Sequence, residues 1–154
     1  MSSITTRQGI LHYEVFGRGK PVILLHGWLG SWGLWRETMA YLGQYYRTYA
    51  LDFWGFGESG RTLETFQVDD FVDLVDQFMD QLGIVSAPIV GHSMGGTVSL
   101  LVSMRYPERA QKVVIVGSPI VGSSLAFALK LAGIRLNAWA LFMVFPLFRG
   151  IMRL

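Results

Sequence analysis

One stretch of the sequence has the residue types and the spacing of a nucleophilic serine. Residues 91–95 read G-H-S-M-G and fit the pattern G-x-S-x-G, in which a buried strand turns sharply into a helix and leaves a serine hydroxyl at the corner. That serine is Ser93, and the chemistry that the pattern indicates is nucleophilic attack by its hydroxyl. The alternative is a glycine-rich turn that contains an incidental serine.

The residues around Ser93 suit a strained corner, in which any Cβ on the flanking turns would collide with the serine backbone. The room is left by three glycines, Gly91, Gly95 and Gly96. Residues 89–90 form a short apolar run that is typical of a strand buried on both faces. Helical spacing follows the corner and ends before Pro107, which predicts that Ser93 lies at a helix N-terminus, where free N–H groups favour negative charge.

A second stretch, H-G-W-L-G at residues 26–30, follows an apolar run at residues 22–25 that predicts a buried strand. In open α/β sheets, ligands bind at the carboxyl ends of the strands, so a backbone N–H of this loop is a candidate to face a reacting carbonyl. The alternative is a turn that only leads into a helix at residues 32–42. We expect His26 to shape this loop by hydrogen bonding and not to act as a base.

Strands and helices alternate from residue 22 to residue 116, which predicts an α/β fold with a mostly parallel sheet and helices on both faces. Residues 4–16, with a turn at Gly9, predict a leading hairpin, and Thr65 is the expected N-cap of an amphipathic helix that ends at Gly83. The aspartates of that helix are interpreted as a solvated face and not as a metal cluster. Asp52 is expected to hydrogen-bond backbone N–H groups in the loop that it begins.

The composition excludes several kinds of site. With 154 residues the chain has the size of one domain, and with 51% hydrophobic residues it can form a hydrophobic core. Cysteine is absent, which excludes disulfides and thiolate chemistry, and the three histidines form no ligand-spaced pair, so we expect neither a metal nor a cofactor. The first nine residues are polar and lack the apolar segment of a signal peptide, so we expect a cytoplasmic protein.

Charge is unevenly distributed along the chain. All 11 acidic residues lie within residues 1–108, whereas 6 of the 13 basic residues lie within residues 109–154. A cationic and apolar tail is compatible with contact to a membrane surface, although its uncharged segments are too short to span a bilayer. Nucleic acid is not an expected partner, because the basic residues are sparse and separated by aliphatic ones.

Three motifs occur in a characteristic order and spacing: H-G-W-L-G at residues 26–30, D-F-W-G-F-G-E-S at residues 52–59, and G-H-S-M-G-G at residues 91–96. With them the chain resembles the α/β-hydrolase superfamily over residues 10–119, most closely its esterases, lipases and C–C bond hydrolases. The resemblance implies that Ser93 attacks an ester or similar carbonyl and forms an acyl-enzyme, with an oxyanion hole made by the N–H groups of Trp28 and Met94.

The sequence departs from this family at the remaining members of the catalytic triad. In the family the order along the chain is serine, then a carboxylate, then histidine, but after Ser93 the only carboxylate is Glu108 and no histidine follows. The resemblance therefore implies that residues 1–118 are the core up to its sixth strand and that residues 119–154 begin a helical cap.

The last predicted strand begins at Val113 and ends at Val116, and it has no charged residue or proline to protect a free edge. We therefore expect it to pair with a missing C-terminal segment or with a second chain. The expected function is hydrolysis of a small apolar ester or acyl compound, because the tail is rich in Met, Phe and Trp. The alternative is an inactive truncated relative, or a protein that binds a hydrophobic ligand.

Overall fold

The computed structural model describes residues 2–60 and 67–119. Its strands are β1 (Ser2–Thr6), β2 (Gly9–Phe16), β3 (Pro21–Leu25), β4 (Arg47–Leu51), β5 (Ala87–His92) and β6 (Ala110–Val116). Its α-helices are α1 (Arg36–Leu42), α2 (Val68–Gln81) and α3 (Met94–Arg105), and a 3-10 turn, Trp32–Trp35, leads into α1. The cap predicted for residues 119–154 lies outside the described residues, apart from Pro119.

The six strands form one sheet in the order β1-β2-β4-β3-β5-β6. Strands β4, β3, β5 and β6 run parallel to one another, whereas β1 and β2 form an antiparallel hairpin and β2 is also antiparallel to β4. The prediction of a mostly parallel sheet with a leading hairpin is confirmed. Because β3 lies between β4 and β5, the loops after these three strands meet at one end of the sheet.

Strand β3 has apolar residues on both faces, because a parallel strand in the middle of a sheet is covered from both sides. Val22 and Leu24 pack with Trp35 and Met39 on the side of α1. The alternate residues Ile23 and Leu25 belong to the larger core beneath α2 and α3, listed with Phe71, Val75, Phe78, Val98 and Val102. The predicted arrangement, with helices on both faces of the sheet, is therefore confirmed.

Helix α2 begins later than the sequence pattern indicated. Gln67 and not Thr65 is its N-cap, and it forms a reciprocal capping box with Asp70, whose carboxylate accepts the Gln67 N–H at 2.7 Å. Thr65 itself lies outside the described residues. The helix ends before Gly83, which adopts the left-handed conformation with φ of 66°, as expected for a residue that follows a helix C-terminus.

Four of the five aspartates of α2 are paired with two arginines, Arg105 at the end of α3 and Arg109 before β6. Arg105 contacts Asp69 and Asp73, and Arg109 contacts Asp76 and Asp80. The interpretation of this face as merely solvated was incomplete, because the partners are about 30 residues away in sequence. These pairs join α2 to the segment that connects α3 with β6.

Strand β6 pairs only with β5 among the residues that the structure describes. It begins three residues before the predicted Val113 and so includes the exposed Lys112, a charge of the kind that protects edge strands. Its later residues Val114 and Val116 are 50% and 47% exposed, so only the end of this edge strand is apolar. In the same described part of the chain, no helix has the length and apolar character needed to cross a membrane.

We expect Arg109→Met to destabilise the fold more than Arg105→Met. The Arg109 side chain is 16% exposed and also donates to the Ile84 carbonyl at 3.3 Å, whereas the Arg105 side chain is 42% exposed and screened by water. Urea unfolding should give a loss of about 1 kcal/mol for Arg109→Met. Equal losses for the two variants would contradict this ranking.

Candidate active site

Ser93 occupies the corner between β5 and α3 in a strained backbone conformation. Its φ and ψ are 53° and −120°, a region that residues with a Cβ rarely adopt. The corner is held from both sides, because the Ser93 N–H donates to the Val116 carbonyl at 2.9 Å and its carbonyl accepts from the Gly96 N–H at 3.0 Å. The Ser93 hydroxyl does not cap the helix, so it is not used in holding the corner.

The glycines around the corner allow backbone segments to approach closely. A Cβ on Gly91 would overlap the Gly95 carbonyl, and a Cβ on Gly95 would overlap the Leu25 carbonyl and lie 2.5 Å from the His26 carbonyl oxygen. The start of α3 is therefore packed directly against the end of β3. Only residues without a side chain fit at these two positions.

The loop after β3 lies beside Ser93. A Cβ on Gly27 would be 2.8 Å from the Ser93 Cβ. The loop turns tightly, because the Gly30 N–H donates to the Gly27 carbonyl at 3.0 Å and Leu29 has a positive φ of 56°. The structure thus brings together the two stretches that the sequence singled out. Helix α3 begins at Met94, whose N–H has no partner within the helix.

Trp28 lies in this loop with 59% of its surface exposed. Its ring packs edge-on against Phe56 at a centroid distance of 5.2 Å, and Phe56 also contacts the His26 ring at 5.8 Å. Phe56 belongs to the D-F-W-G-F-G-E-S segment, so all three motifs of the sequence meet at this end of the sheet.

His26 is fully buried and uses both ring nitrogens to hold the loop. The Phe53 N–H donates to Nε2 at 3.0 Å, so Nε2 is unprotonated and Nδ1 carries the proton that it donates to the Gly27 carbonyl at 2.7 Å. Burial lowers the pKa of His26, opposed by the Gly27 hydrogen bond and the charge of Asp52. This geometry is that of a neutral residue that shapes the loop.

The other two histidines are not bonded to Ser93 either. His12 lies on β2, where its Nδ1 is 2.9 Å from the Asp52 carboxylate. The His92 ring lies beside Gly27, and its buried Nδ1 has no hydrogen-bond partner within the described part of the chain. His12, His26 and His92 are all the histidines of the sequence, so the chain places no histidine as a base for Ser93.

Asp52 makes the backbone hydrogen bond expected from the sequence and two more that the sequence did not reveal. Its carboxylate accepts the Glu58 N–H at 2.9 Å, within the loop it begins, and the Trp32 N–H at 2.5 Å. Its third partner is His12, which is 40 residues away. The only available signal was a histidine, His12, within the predicted hairpin of residues 4–16, and a histidine there is by itself compatible with an ordinary strand side chain.

The lowered pKa of His26 predicts a loss of stability in acid. The unfolded chain takes up a proton near pH 6.5, whereas folded His26 resists protonation, so the free energy of unfolding falls as the pH drops below about 6.5. His26→Gln keeps an acceptor for the Phe53 N–H but does not titrate. Relative to this variant, the wild type should lose up to about 1.4 kcal/mol per pH unit between the unfolded and folded pKa values.

Urea unfolding at a series of pH values from 8 to 5 measures this difference. The two proteins share every other ionisable side chain, so the difference between their free energies of unfolding isolates His26. Parallel curves for wild type and variant would contradict a lowered pKa.

Comparison with known proteins agrees with this geometry. The sequence profile of the α/β-hydrolase fold family matches residues 20–147. Epoxide hydrolase 4 of Mus musculus is 34% identical over 112 residues, which are 70% of this chain and 31% of that protein. The 2-hydroxy-6-oxononadienedioate/2-hydroxy-6-oxononatrienedioate hydrolase of Comamonas testosteroni is 35% identical over 135 residues, which are 82% of this chain and 46% of that protein.

Solved structures of α/β-hydrolases are also similar to this chain. A mutant of the meta-cleavage product hydrolase CumD is 36% identical with a TM-score of 0.71, over 76% of this chain and 45% of that one. The epoxide hydrolase of Bacillus megaterium is 28% identical with a TM-score of 0.74, over 77% of this chain and 43% of that one. The chain thus spans less than half the length of these relatives. By its profile match, its sheet and its motifs, it belongs to the α/β-hydrolase family.

Proposed function

We propose that this chain carries the nucleophile and the oxyanion hole of a serine hydrolase that acts on a small apolar ester or acyl compound. The observation that carries the proposal is the strained backbone of Ser93 at the corner between β5 and α3, beside the loop that contains Trp28. Strain of about 1–3 kcal/mol persists where the surrounding structure enforces it, and such residues cluster at active sites.

The proposed reaction begins with addition of the Ser93 Oγ to a carbonyl carbon. As this bond forms, the hydroxyl proton passes to a base and the carbonyl oxygen becomes an oxyanion facing the N–H groups of Trp28 and Met94. The leaving group then departs with a proton, and water hydrolyses the acyl-enzyme to release the acid and the free Ser93. Each oxyanion donor contributes about 3–4 kcal/mol to the transition state.

We propose that the base and its carboxylate come from outside these 154 residues. His26 uses both ring nitrogens in the loop, and His12 is committed to Asp52. His92 is adjacent to Ser93 in sequence, but no hydrogen bond joins the two side chains in the described structure. The supplying residues belong to a further segment of the protein or to a second chain.

The substrate class rests on the surface of the site and on the relatives. Trp28 and Phe56 give the site an aromatic wall, and such walls suit apolar groups better than sugars or phosphates. Two relatives are named as hydrolases of 2-hydroxy-6-oxo acids and others as epoxide hydrolases. The first two names contain an oxo group, and a carbonyl carbon is the kind of atom that a serine nucleophile attacks.

The competing proposal is a catalytically inactive relative that binds a hydrophobic ligand. It is favoured by one observation, the absence of a histidine bonded to Ser93. A site with an oxyanion hole and no base retains only about 10³–10⁴-fold catalysis over water, which ordinary assays would not detect.

Labelling with a fluorophosphonate probe, on the protein as its gene encodes it, distinguishes the two proposals. We expect the wild type to react and Ser93→Ala to lose at least about 100-fold in labelling rate, because the nucleophile is gone. Ser103→Ala is the matched control, since Ser103 lies on the same helix and its hydroxyl donates to the Leu100 carbonyl. Wild-type protein that does not label, or that labels equally after Ser93→Ala, would contradict the catalytic proposal.

We also propose that the segment or chain that supplies the base pairs with β6. Beyond Lys112 this strand is apolar, with Val114 and Val116 exposed and a free edge in the described structure, and free apolar edges are normally covered. If the partner is a further segment, amide hydrogen exchange over residues 110–116 should be about tenfold slower in the protein as encoded than in residues 1–154 alone. If the partner is a second chain, exchange should be about tenfold slower in the assembled protein than in the same protein diluted to a monomer. Equal exchange rates would contradict the pairing.

A further inference from the structure

The loop that contains Trp28 is held at both ends by two consecutive residues, Asp52 and Phe53. At its start, the His26 ring accepts the Phe53 N–H, and at its end the Trp32 N–H donates to the Asp52 carboxylate. Both residues directly follow strand β4, whose last residue is Leu51. The position of the Trp28 N–H relative to Ser93 therefore depends on the two residues that follow β4 and not only on the end of β3.

Asp52 depends in turn on His12. The carboxylate is fully buried, and a buried carboxylate is costly unless its oxygens are satisfied by hydrogen bonds. Trp32 donates to Oδ1, whereas Oδ2 receives both the Glu58 N–H and the Nδ1–H of His12. Because an ionised carboxylate only accepts, the proton of this contact lies on Nδ1.

His12 is itself fixed by its backbone. It is 4% exposed, its N–H donates to the Ser59 hydroxyl at 2.8 Å, and its carbonyl accepts the Asp52 N–H at 3.0 Å. The Ser59 hydroxyl in turn donates to the Asp52 carbonyl at 2.6 Å, so hydrogen bonds link His12, Ser59 and Asp52 in a ring. The side chain thus has little freedom, and the direction of its Nδ1–H fixes the plane of the Asp52 carboxylate.

Other carboxylates face the opposite side of the imidazole. The Nε2 atom lies 3.4 Å from a Glu14 carboxylate oxygen and 3.9 Å from one of Glu58. Substitutions of His12 therefore change the surroundings of three acidic side chains, and a test must separate the Asp52 contact from the other two.

We propose that Asp52, oriented by His12, is a positioning residue that aligns the Trp28 N–H with the oxyanion formed at Ser93. This inference rests on the proposed function, and it extends the site to a residue on β2 that no sequence motif includes. A positioning role differs from a purely structural one because it affects the transition state more than substrate binding.

Four variants, made in the protein as its gene encodes it, separate these roles. Asp52→Asn has a single acceptor oxygen and cannot serve three donors, and His12→Leu removes one of the two donors to Oδ2. His12→Asn restores an N–H donor near the position of Nδ1. Thr48→Val is the matched control, because it removes a buried hydrogen bond, to the Phe16 carbonyl at 3.0 Å, at the other end of β4.

Hydrolysis of p-nitrophenyl butyrate, well below the melting temperature of every variant, gives the first readout. We expect kcat to fall about 10-fold to 100-fold in Asp52→Asn and His12→Leu with KM within about twofold, because misplaced donors act on the transition state. His12→Asn should recover most of kcat, and Thr48→Val should keep it. A loss of kcat no greater than in Thr48→Val, or a rise in KM alone, would overturn the proposal.

The amide resonance of Trp28 gives a second readout that needs no turnover. In Asp52→Asn we expect it to shift and to exchange with solvent about tenfold faster, while the Met94 amide stays unchanged. In Thr48→Val we expect the Trp28 amide itself to stay unchanged. An unmoved Trp28 amide would overturn the positioning role even if the wild type hydrolyses nothing. A wild type without Ser93-dependent hydrolysis, but with a displaced Trp28 amide in the variant, would instead contradict the proposed function alone.

Discussion

Close approach of backbone segments is the constraint on which this end of the sheet depends. The end of β3 meets the start of α3 backbone to backbone at Gly95, and the loop after β3 meets the corner between β5 and α3 at Gly27, where a side chain would not fit. A Cβ on Gly95 would overlap the Leu25 carbonyl, and one on Gly27 would crowd Ser93. The sheet order makes this approach possible, because β3 and β5 are adjacent and parallel, so their carboxyl ends lie side by side.

The same end of the sheet holds the strained backbone. Among the described residues, the non-glycine positions with positive φ are Leu29 and Ser93, and both lie at the candidate site. Conformations of this kind cost about 1–3 kcal/mol each and persist only when the surroundings enforce them. Here the surroundings are the buried core on both faces of β3 and the hydrogen bonds of His26 and Asp52.

Local pattern was sufficient to predict much of this architecture from the sequence. Apolar runs identified β3 and β6, helical spacing identified α2 and α3, and G-x-S-x-G located the corner at Ser93. These features depend on neighbours within a few residues. The sequence pattern did not reveal the 3-10 turn before α1 or the capping of α2 by Gln67. Each of these features concerns a single turn at the end of a helix, where individual hydrogen bonds decide the boundary.

Contacts between residues that are far apart in the sequence could not be predicted from local sequence patterns. The pairing of Arg109 with Asp76 and Asp80 joins elements that periodicity treats separately. The contact between His12 and Asp52 crosses from β2 to the loop after β4, and its significance appears only because the same carboxylate accepts the Trp32 N–H. The corner at Ser93 and the loop beside it could therefore be predicted from the sequence, but the residues that hold them in place could not.

The most direct test of the central claim is a crystal structure of the protein as encoded, after reaction with a phosphonate ester. We predict a covalent bond from the Ser93 Oγ to phosphorus, with one phosphoryl oxygen about 2.7–3.1 Å from the backbone nitrogens of both Trp28 and Met94. A phosphonate bonded to another residue, or a phosphoryl oxygen turned to solvent and away from these two N–H groups, would contradict it.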